Sequence, residues 1–456
     1  MIFDDVLQRF MEQSPVPVMV RILLERIFNP EKINIWFEQT ADKQYTRELL
    51  FSSIFELMNG VVFKAFPSIL TAYQDKSENI GVSVTSVYNK LNGLEASTSA
   101  AFVRDTATEM AEVIEAMGGK RQPWLPGFRV KVLDGNCIEA TEHRLEVLRG
   151  TKAGALPGKS LNVYDPALGM IVDVIPCEDG HAQERSLLSA ILPTVDARDV
   201  WIMDRNFCVR DFLSAIADRD AFFICRLHAS MPWTAVSDER YVGKTETGKV
   251  YEQWVEVTDT DGTVRKYRRI RICLKTPLRD GETELCLLTN LSKSAANAKL
   301  IAEMYRKRWT IETAFQELEG HLHSEINTLG YPKAALFGFC IALTAYNILA
   351  VVKASLRTLH GEETIENMVS GYYLAGNIAR THEGMMIALP PKYWVVFQNM
   401  TLTEVAAILI QLAHNVELSK FRKHKRGPKK PRPKRDQFPN QPHVSTAKLL
   451  AQKKSD

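Results

Sequence analysis

Three acidic residues sit in contexts suited to holding a hard metal ion. They are Asp134 in Arg129-Val-Lys-Val-Leu-Asp-Gly-Asn136, Asp204 in Val200-Trp-Ile-Met-Asp-Arg-Asn206, and Glu312 in Tyr305-Arg-Lys-Arg-Trp-Thr-Ile-Glu312. Carboxylate oxygens with open positions for water favour Mg2+ or Mn2+ over zinc, which takes His or Cys. Two such ions about 3.5–4 Å apart neutralise a phosphate, activate an oxygen nucleophile and support a leaving alkoxide, which is what phosphodiester cleavage needs. Asp134 and Asp204 each close an apolar, β-branched run, so each is expected at the mouth of a strand. Glu312 reads as helical. At about 100° per residue, Tyr305, Arg308, Glu312 and Glu319 fall within roughly 60° of one another. An ion pair between Arg308 and Glu312 on a solvated face would give part of that pattern, and the two strand-end aspartates weigh against so plain an account.

The elements that must position these groups follow from periodicity. Residues 130–133, 161–164, 170–175, 200–203 and 221–227 read as strands, with Asp165-Pro-Ala-Leu-Gly169 as a turn and 182–192 and 210–217 as helices. Three strands followed by helix-separated strands is the order of an RNase H-like core. The fold class is therefore α/β, a mixed sheet flanked by helices. Between Asp204 and Glu312 lie 107 residues, more than a crossover requires. The excess, about 228–285, reads as a β-rich insertion with an Asp-Gly hairpin signal at 261–262. Residues 1–125 show helical periodicity, and Val82–Leu91 could form a small recognition helix capped by Ser or Thr or an ordinary bundle helix.

Over residues 125–350 the chain resembles the bacterial cut-and-paste DDE transposases of the insertion-sequence-four type. The resemblance rests on Asp-Gly-Asn at 134–136, Asp-Arg-Asn-Phe at 204–207, Leu-Leu-Thr-Asn-Leu at 287–291, and a helical signature. That signature is Tyr, two residues, Arg, three residues, Glu, six residues, Lys. Tyr305, Arg308 and Glu312 stand at its spacing, and Glu319 replaces the lysine, which removes one expected DNA contact. The resemblance implies that Asp134, Asp204 and Glu312 are catalytic and hold two Mg2+ (or Mn2+) ions, with Asp134 bridging both. It implies cleavage at transposon ends to a 3′-hydroxyl that then attacks target DNA. The partners implied are double-stranded DNA and a second copy of the chain, because two ends must be cut and joined together. Arg308 would fork onto a backbone phosphate with Tyr305 beside it, and Arg205 would contact DNA. The basic stretch Arg265–Arg271 could line DNA or be a plain exposed strand.

Length and charge give the rest of the organisation. A chain of 456 residues exceeds one usual core. The expected division is a helical N-terminal domain at 1–125 that binds DNA ends, a catalytic domain at 126–355, a helical region at 356–419 for oligomerisation, and a disordered basic tail at 420–456. Net charge is +3, but the tail carries 13 Lys/Arg against 2 Asp/Glu, or +11, which leaves −8 on residues 1–419. Lys423, Lys425, Arg426, Lys429, Lys430 and Arg432 are expected to lie along phosphates, without reading sequence and with strong salt dependence. A solubilising tail, or one holding RNA or anionic lipid, would have the same composition.

The seven cysteines are widely spaced and include no Cys-x-x-Cys, which argues against disulfides or structural zinc. The start, Met1-Ile-Phe-Asp-Asp-Val, is too acidic for an export signal, so a cytoplasmic, nucleoid-associated protein is expected. Residues 334–352 form 19 uncharged positions, near the lower limit for a membrane span. Gly338, Thr344, Tyr346 and Asn347 favour a buried core helix instead. Two other readings remain: a catalytically impaired, transposase-derived DNA-binding regulator, with Glu319 as its mark, and a stand-alone metal nuclease.

Overall fold

The computed structural model describes residues 5–44, 46–139, 145–150, 154–278, 281–424 and 443–455. The chain opens with α1 (Asp5–Gln13), α2 (Pro15–Ile27), α3 (Pro30–Thr40), α4 (Phe51–Val62), α5 (Ile69–Lys76), α6 (Val84–Gly93) and α7 (Ala96–Ala116). Their starts follow local chemistry. Asn29 accepts from the Glu31 and Lys32 amides ahead of Pro30, and Ser83 accepts from Ser86 N at the head of α6, so the orphan amides of the first turn are satisfied. Phe28, Trp36, Phe37, Phe51, Phe55 and Phe102 meet as stacked and tilted ring pairs that lock the bundle. The last helix, α7, leaves the bundle to pack on the sheet.

The sheet begins with β1 (Arg129–Ile138), followed by α8 (Glu146–Arg149), β2 (Ala155–Leu156), β3 (Gly158–Asp165), β4 (Met170–Cys177), β5 (Asp199–Met203), α9 (Arg210–Ala217) and β6 (Phe222–Arg226). β1 pairs antiparallel with β3 and parallel with β5, and β5 pairs parallel with β6. The order β4-β3-β1-β5-β6 is the RNase H-like arrangement expected from the sequence. The 165–169 turn is closed by Asp165, whose side chain accepts from the Ala167 and Leu168 amides, and by Gly169 at φ +77°. The helix expected at 182–192 is instead a 3-10 run at Glu184–Ala190 and a second at Leu192–Thr194. Pro193 has no amide to continue an α-helical ladder.

The insertion is β-rich as expected: β7 (Thr234–Ala235), β8 (Arg240–Lys244), β9 (Gly248–Thr258) and β10 (Val264–Leu274), with the 261–262 hairpin turn held by Gly262 at φ +89°. It does not stand apart. β11 (Glu284–Thr289) pairs with both β10 and β6, so the central sheet continues through the insertion to ten strands. The Leu-Leu-Thr-Asn-Leu motif makes that join. Thr289 Oγ1 donates to Phe223 O at 2.5 Å, and Asn290 accepts from Phe223 N and donates to Ala221 O, both at 2.9 Å.

After the sheet come α10 (Ala298–Arg306), α11 (Thr310–His321), α12 (Pro332–His360), α13 (Glu362–Met368), α14 (Gly371–Ala388), α15 (Val395–Gln398), α16 (Leu402–His414) and, at the end, β12 (Val444–Ser445) and α17 (Thr446–Ser455). α12 contains the apolar stretch questioned above, and 94% of its most apolar window is buried inside the protein. It lies between α7, α4, α16 and β4. Asn347 shows why it needs polar residues: its side chain accepts from Ile171 N at 2.9 Å and donates to Ile171 O at 2.7 Å, closing the open edge of β4. One cluster of buried side chains runs from Leu7 to Phe421.

The basic tail is only partly as expected. Residues 443–455 are ordered: β12 pairs parallel with β2, Lys448 pairs with Asp179 at 3.1 Å, and Lys453 pairs with Glu146 on α8. Two short apolar positions, Leu449 and Leu450, let this end form a helix that the charge count alone hid. Lys423 is held as well, donating from Nζ to Glu366 O at 2.5 Å. Lys425, Arg426, Lys429, Lys430 and Arg432 lie outside the described residues.

Candidate active site

The site is built where the parallel pairing of β1 and β5 stops. Leu133 is the last β1 residue in register with β5, opposite Met203, so Asp134 and Asp204 are the next residues on neighbouring strands. Ligands collect just beyond the carboxyl ends of parallel strands, where backbone groups and side chains are freed from pairing. Asp204 stands past the end of β5, as expected. Asp134 lies inside β1, which continues to Ile138 on its β3 side alone. Each carboxylate is oriented by its own chain: Asp134 Oδ1 accepts from Gly135 N at 3.0 Å, and Asp204 Oδ1 caps the turn Arg205–Phe207 by accepting from Arg205 N at 2.6 Å.

The third carboxylate arrives on a broken helix. The sequence reading gave Tyr305 to Glu319 as one helix, but α10 ends at Arg306, a 3-10 turn covers Lys307–Trp309, and α11 begins at Thr310. The Thr310 hydroxyl donates to Lys307 O at 2.6 Å, which tightens the turn. The signature side chains still converge. Arg308 donates to Asp134 Oδ2 at 2.9 Å and to Glu312 Oε1 at 2.8 Å, and the Tyr305 hydroxyl lies 3.5 Å from Asp204 Oδ1. The Arg308–Glu312 ion pair therefore exists, but it faces the aspartates and not solvent.

Burial sets the electrostatics here. Arg308 is 6% exposed, and its Nε is buried without a hydrogen-bond partner. Burial works against its charge, but Asp134, Tyr305, Asp204 and Glu312 more than offset this and hold the guanidinium above its usual value. Burial pushes the Asp134 carboxyl up; Arg308 opposes this, Glu312 and Asp204 add to it, and the result is about 6. Burial also pushes the Tyr305 phenol far up, so it stays a neutral donor.

As the side chains stand, no three His, Cys, Asp or Glu among the described residues come close enough to grip one ion. Arg308 lies between two of the acids. The donor set nevertheless fits a hard divalent cation: three carboxylates with no His or Cys among them, with burial first and then the charges of Glu312 and Asp204 raising Asp134 against the opposing guanidinium of Arg308.

The RNase H-like sheet thus brings Asp134, where the β1–β5 pairing ends, and Asp204, just past β5, toward the helix that carries Glu312. Residues 126–348, just under half of the chain, match the family model described as the transposase DDE domain. A protein of Sinorhizobium fredii (strain NBRC 101917 / NGR234) named "Putative transposase y4zB" is 28% identical over 208 residues, covering 43% of this chain and 54% of that protein, so the chain spans about half the length of this relative. Among solved structures, piggyBac transposase in a synaptic complex with hairpin DNA aligns over 84% of each chain at 10% identity, with a TM-score of 0.40.

Other expected DNA contacts are placed differently. Arg205 is partly exposed beside the site but pairs with Glu282 at 2.7 Å. In the 265–271 stretch the four arginines are paired with acids, and Lys266 is exposed with its ammonium over the Trp254 ring. Arg265 pairs with Asp218 and Asp259, Arg268 is buried against Glu252, and Arg269 and Arg271 share Glu239. Asp173 on β4 is buried and paired with Arg104 at 2.9 Å.

Two neighbours of the triad were missed: Glu184, which accepts from Asn206 Nδ2 at 2.5 Å, and Arg185, whose Nε donates to Asn206 O at 2.8 Å. Asn206 lies inside a motif already singled out. Glu184 had no local signal.

Proposed function

We propose that this chain is a DNA transposase of the insertion-sequence-four type that cuts transposon ends and joins the resulting 3′-hydroxyl to target DNA. The observation that carries the reading is the convergence of Asp134, Asp204 and Glu312 from two adjacent strands and one helix onto Arg308 and Tyr305.

Bound Mg2+ or Mn2+, two ions per site, would supply the charge that activates the attacking oxygen and stabilises the leaving one. The residues that would hold them are Asp134, Asp204 and Glu312. The chain's own part is positional. Tyr305 holds Asp204 without adding charge, and Arg308 keeps two carboxylates together in a setting that would otherwise force them apart. Lys353 on α12 pairs with Glu317 at 3.3 Å and steadies the helix that carries Glu312. The fork of Arg308 would also suit a DNA backbone phosphate once exchanged from Asp134.

DNA is the proposed partner, at transposon ends and target, with a homodimer holding two ends. Residues 1–125 would recognise the ends, residues 356–419 would support pairing of the two copies, and the protein would work in the nucleoid.

The test is a cleavage and joining assay on the element's end DNA with Mg2+ or Mn2+, comparing wild type with Glu312→Gln. Metal-dependent 3′-hydroxyl formation and joining, both reduced at least about a thousandfold in the variant, is the expected result. Tight binding of the ends with neither reaction would turn the conclusion to a transposase-derived regulator. Cutting without joining would leave a nuclease.

A further inference from the structure

The glycine of Asp-Gly-Asn has no positive backbone angle to account for it. What its missing side chain makes room for is a carboxylate. A Cβ built on Gly135 would stand 2.1 Å from Glu184 Oε1, so the Glu184 head lies directly over the backbone next to Asp134. Its other oxygen accepts from Asn206 Nδ2 at 2.5 Å. Asn206 belongs to the turn Arg205–Phe207 that Asp204 caps. The next residue, Arg185, grips the same turn by donating to Asn206 O at 2.8 Å, and the 3-10 run Glu184–Ala190 packs against it. One side chain thus touches both the strand that carries Asp134 and the turn that carries Asp204. The same segment walls an open polar groove of about 480 Å3, with Lys159, His181 and Gln183 as further lining.

We propose that Glu184 is a positioning residue for the metal site, tying the Asp134 strand to the Asp204 turn and so fixing the separation of the two aspartates. The inference rests on the metal-dependent reading given above. It gives Glu184 no contact with substrate or cation. It does require that the carboxylate act as a hydrogen-bond acceptor and a spacer, tasks that a glutamine of the same length can also perform. Partners of this kind, one step removed from the ligands, typically alter metal affinity about 10–100-fold when removed.

The experiment uses the full chain in five forms: wild type, Glu184→Ala, Glu184→Gln, Gly135→Ala and the double variant of Glu184→Ala with Gly135→Ala. Mn2+ binding is followed by the loss of the free-ion electron paramagnetic resonance signal, with thermal melts as the folding control. Cleavage of end DNA is measured in parallel. Glu184→Ala is expected to raise the Mn2+ concentration for half-saturation about tenfold or more, and Glu184→Gln to stay within about threefold of wild type because its amide oxygen still accepts from Asn206. Gly135→Ala, which pushes the carboxylate off its seat, is expected to match Glu184→Ala. Combining the two changes should cost no more than either alone.

Unchanged Mn2+ binding in Glu184→Ala overturns the proposal while leaving the transposase reading intact. A loss in Glu184→Gln as large as in Glu184→Ala also overturns it, since that result makes the negative charge itself essential. A wild type that binds Mn2+ but does not cut DNA refutes the transposase reading alone, and the binding arm still decides the role of Glu184. A wild type that binds no Mn2+ removes both.

Discussion

Arg308 is the residue on which the site's charge balance turns. It is buried and spends its two donor arms on Asp134 and Glu312. Removing one partner of a buried ion pair leaves uncompensated charge, commonly at a cost of about 3–5 kcal/mol. Arg308→Leu should therefore lower stability by about that amount in urea denaturation without metal, and Mg2+ should restore part of it by binding the folded state. Failure of Mg2+ to restore any stability would count against a cation site among these acids. Asp134 makes a second prediction. Its carboxyl is pushed up to about 6, first by burial, so below that pH a cation must displace a proton to bind. Mn2+ affinity should fall by about tenfold per pH unit below 6 and level off above it. A flat profile down to about pH 5 would mean that Asp134 is not a ligand.

At the scale of elements, the informative case is α12. Its composition meets the length and apolarity of a membrane span, and only its surroundings show that it is a core helix covered on all sides. Asn347 is the polar group that commits it to the sheet, because its side chain replaces the neighbour that β4 lacks at Ile171. Asn347→Leu would strand one buried amide and one carbonyl, each costing about 1–3 kcal/mol. The expected result is a loss of about 2–4 kcal/mol in chemical denaturation, with no change in metal binding at the distant strand ends. The break between α10 and α11 shows the opposite relation. The sequence spacing survives a 3-10 turn because the turn tightens the chain locally while Arg308 still reaches forward four residues to Glu312.

For the whole molecule, the feature that matters most is the continuous core. The buried cluster links the N-terminal helices, α12 and the C-terminal helices, so an acid-sensitive group far from the triad bears on the stability of the same body. His382 on α14 is such a group. Desolvation first, then Arg21 and Lys76, push it down to about 4. A depressed histidine favours the neutral form in the folded state, so its stabilising effect is complete above the unfolded value near 6.5 and is lost as pH falls toward 4. His382→Asn should therefore match wild type in relative stability near neutral pH and gain on it steadily between about 6.5 and 4. Thermal melts of the two proteins across that range measure the difference, and parallel curves would refute the assignment.

The sequence alone determined the local half of this protein. Val130–Leu133 and Val200–Met203 had to be strands because β-branched and apolar residues run without interruption there, and the acids that follow had to emerge near their ends. The order of strands and helices then allowed few arrangements, and the RNase H-like one formed. Periodicity could not tell which charges would face one another. The arginines of 265–271 read equally as a lining for DNA or a plain exposed strand, and folding set Glu239, Glu252 and Asp259 against them. The insertion read as β-rich, but its pairing partner could not be read: the edge of β6 is satisfied by β11, and the sheet continues through the insertion. Glu184 lies 50 residues from Asp134 in the chain, in a stretch with no pattern of its own, and reaches Gly135 only through the packing of one turn on another. Spacing along the chain reports on contacts within a strand or a helix; contacts between them depend on how the elements pack, and only the tertiary structure decides that.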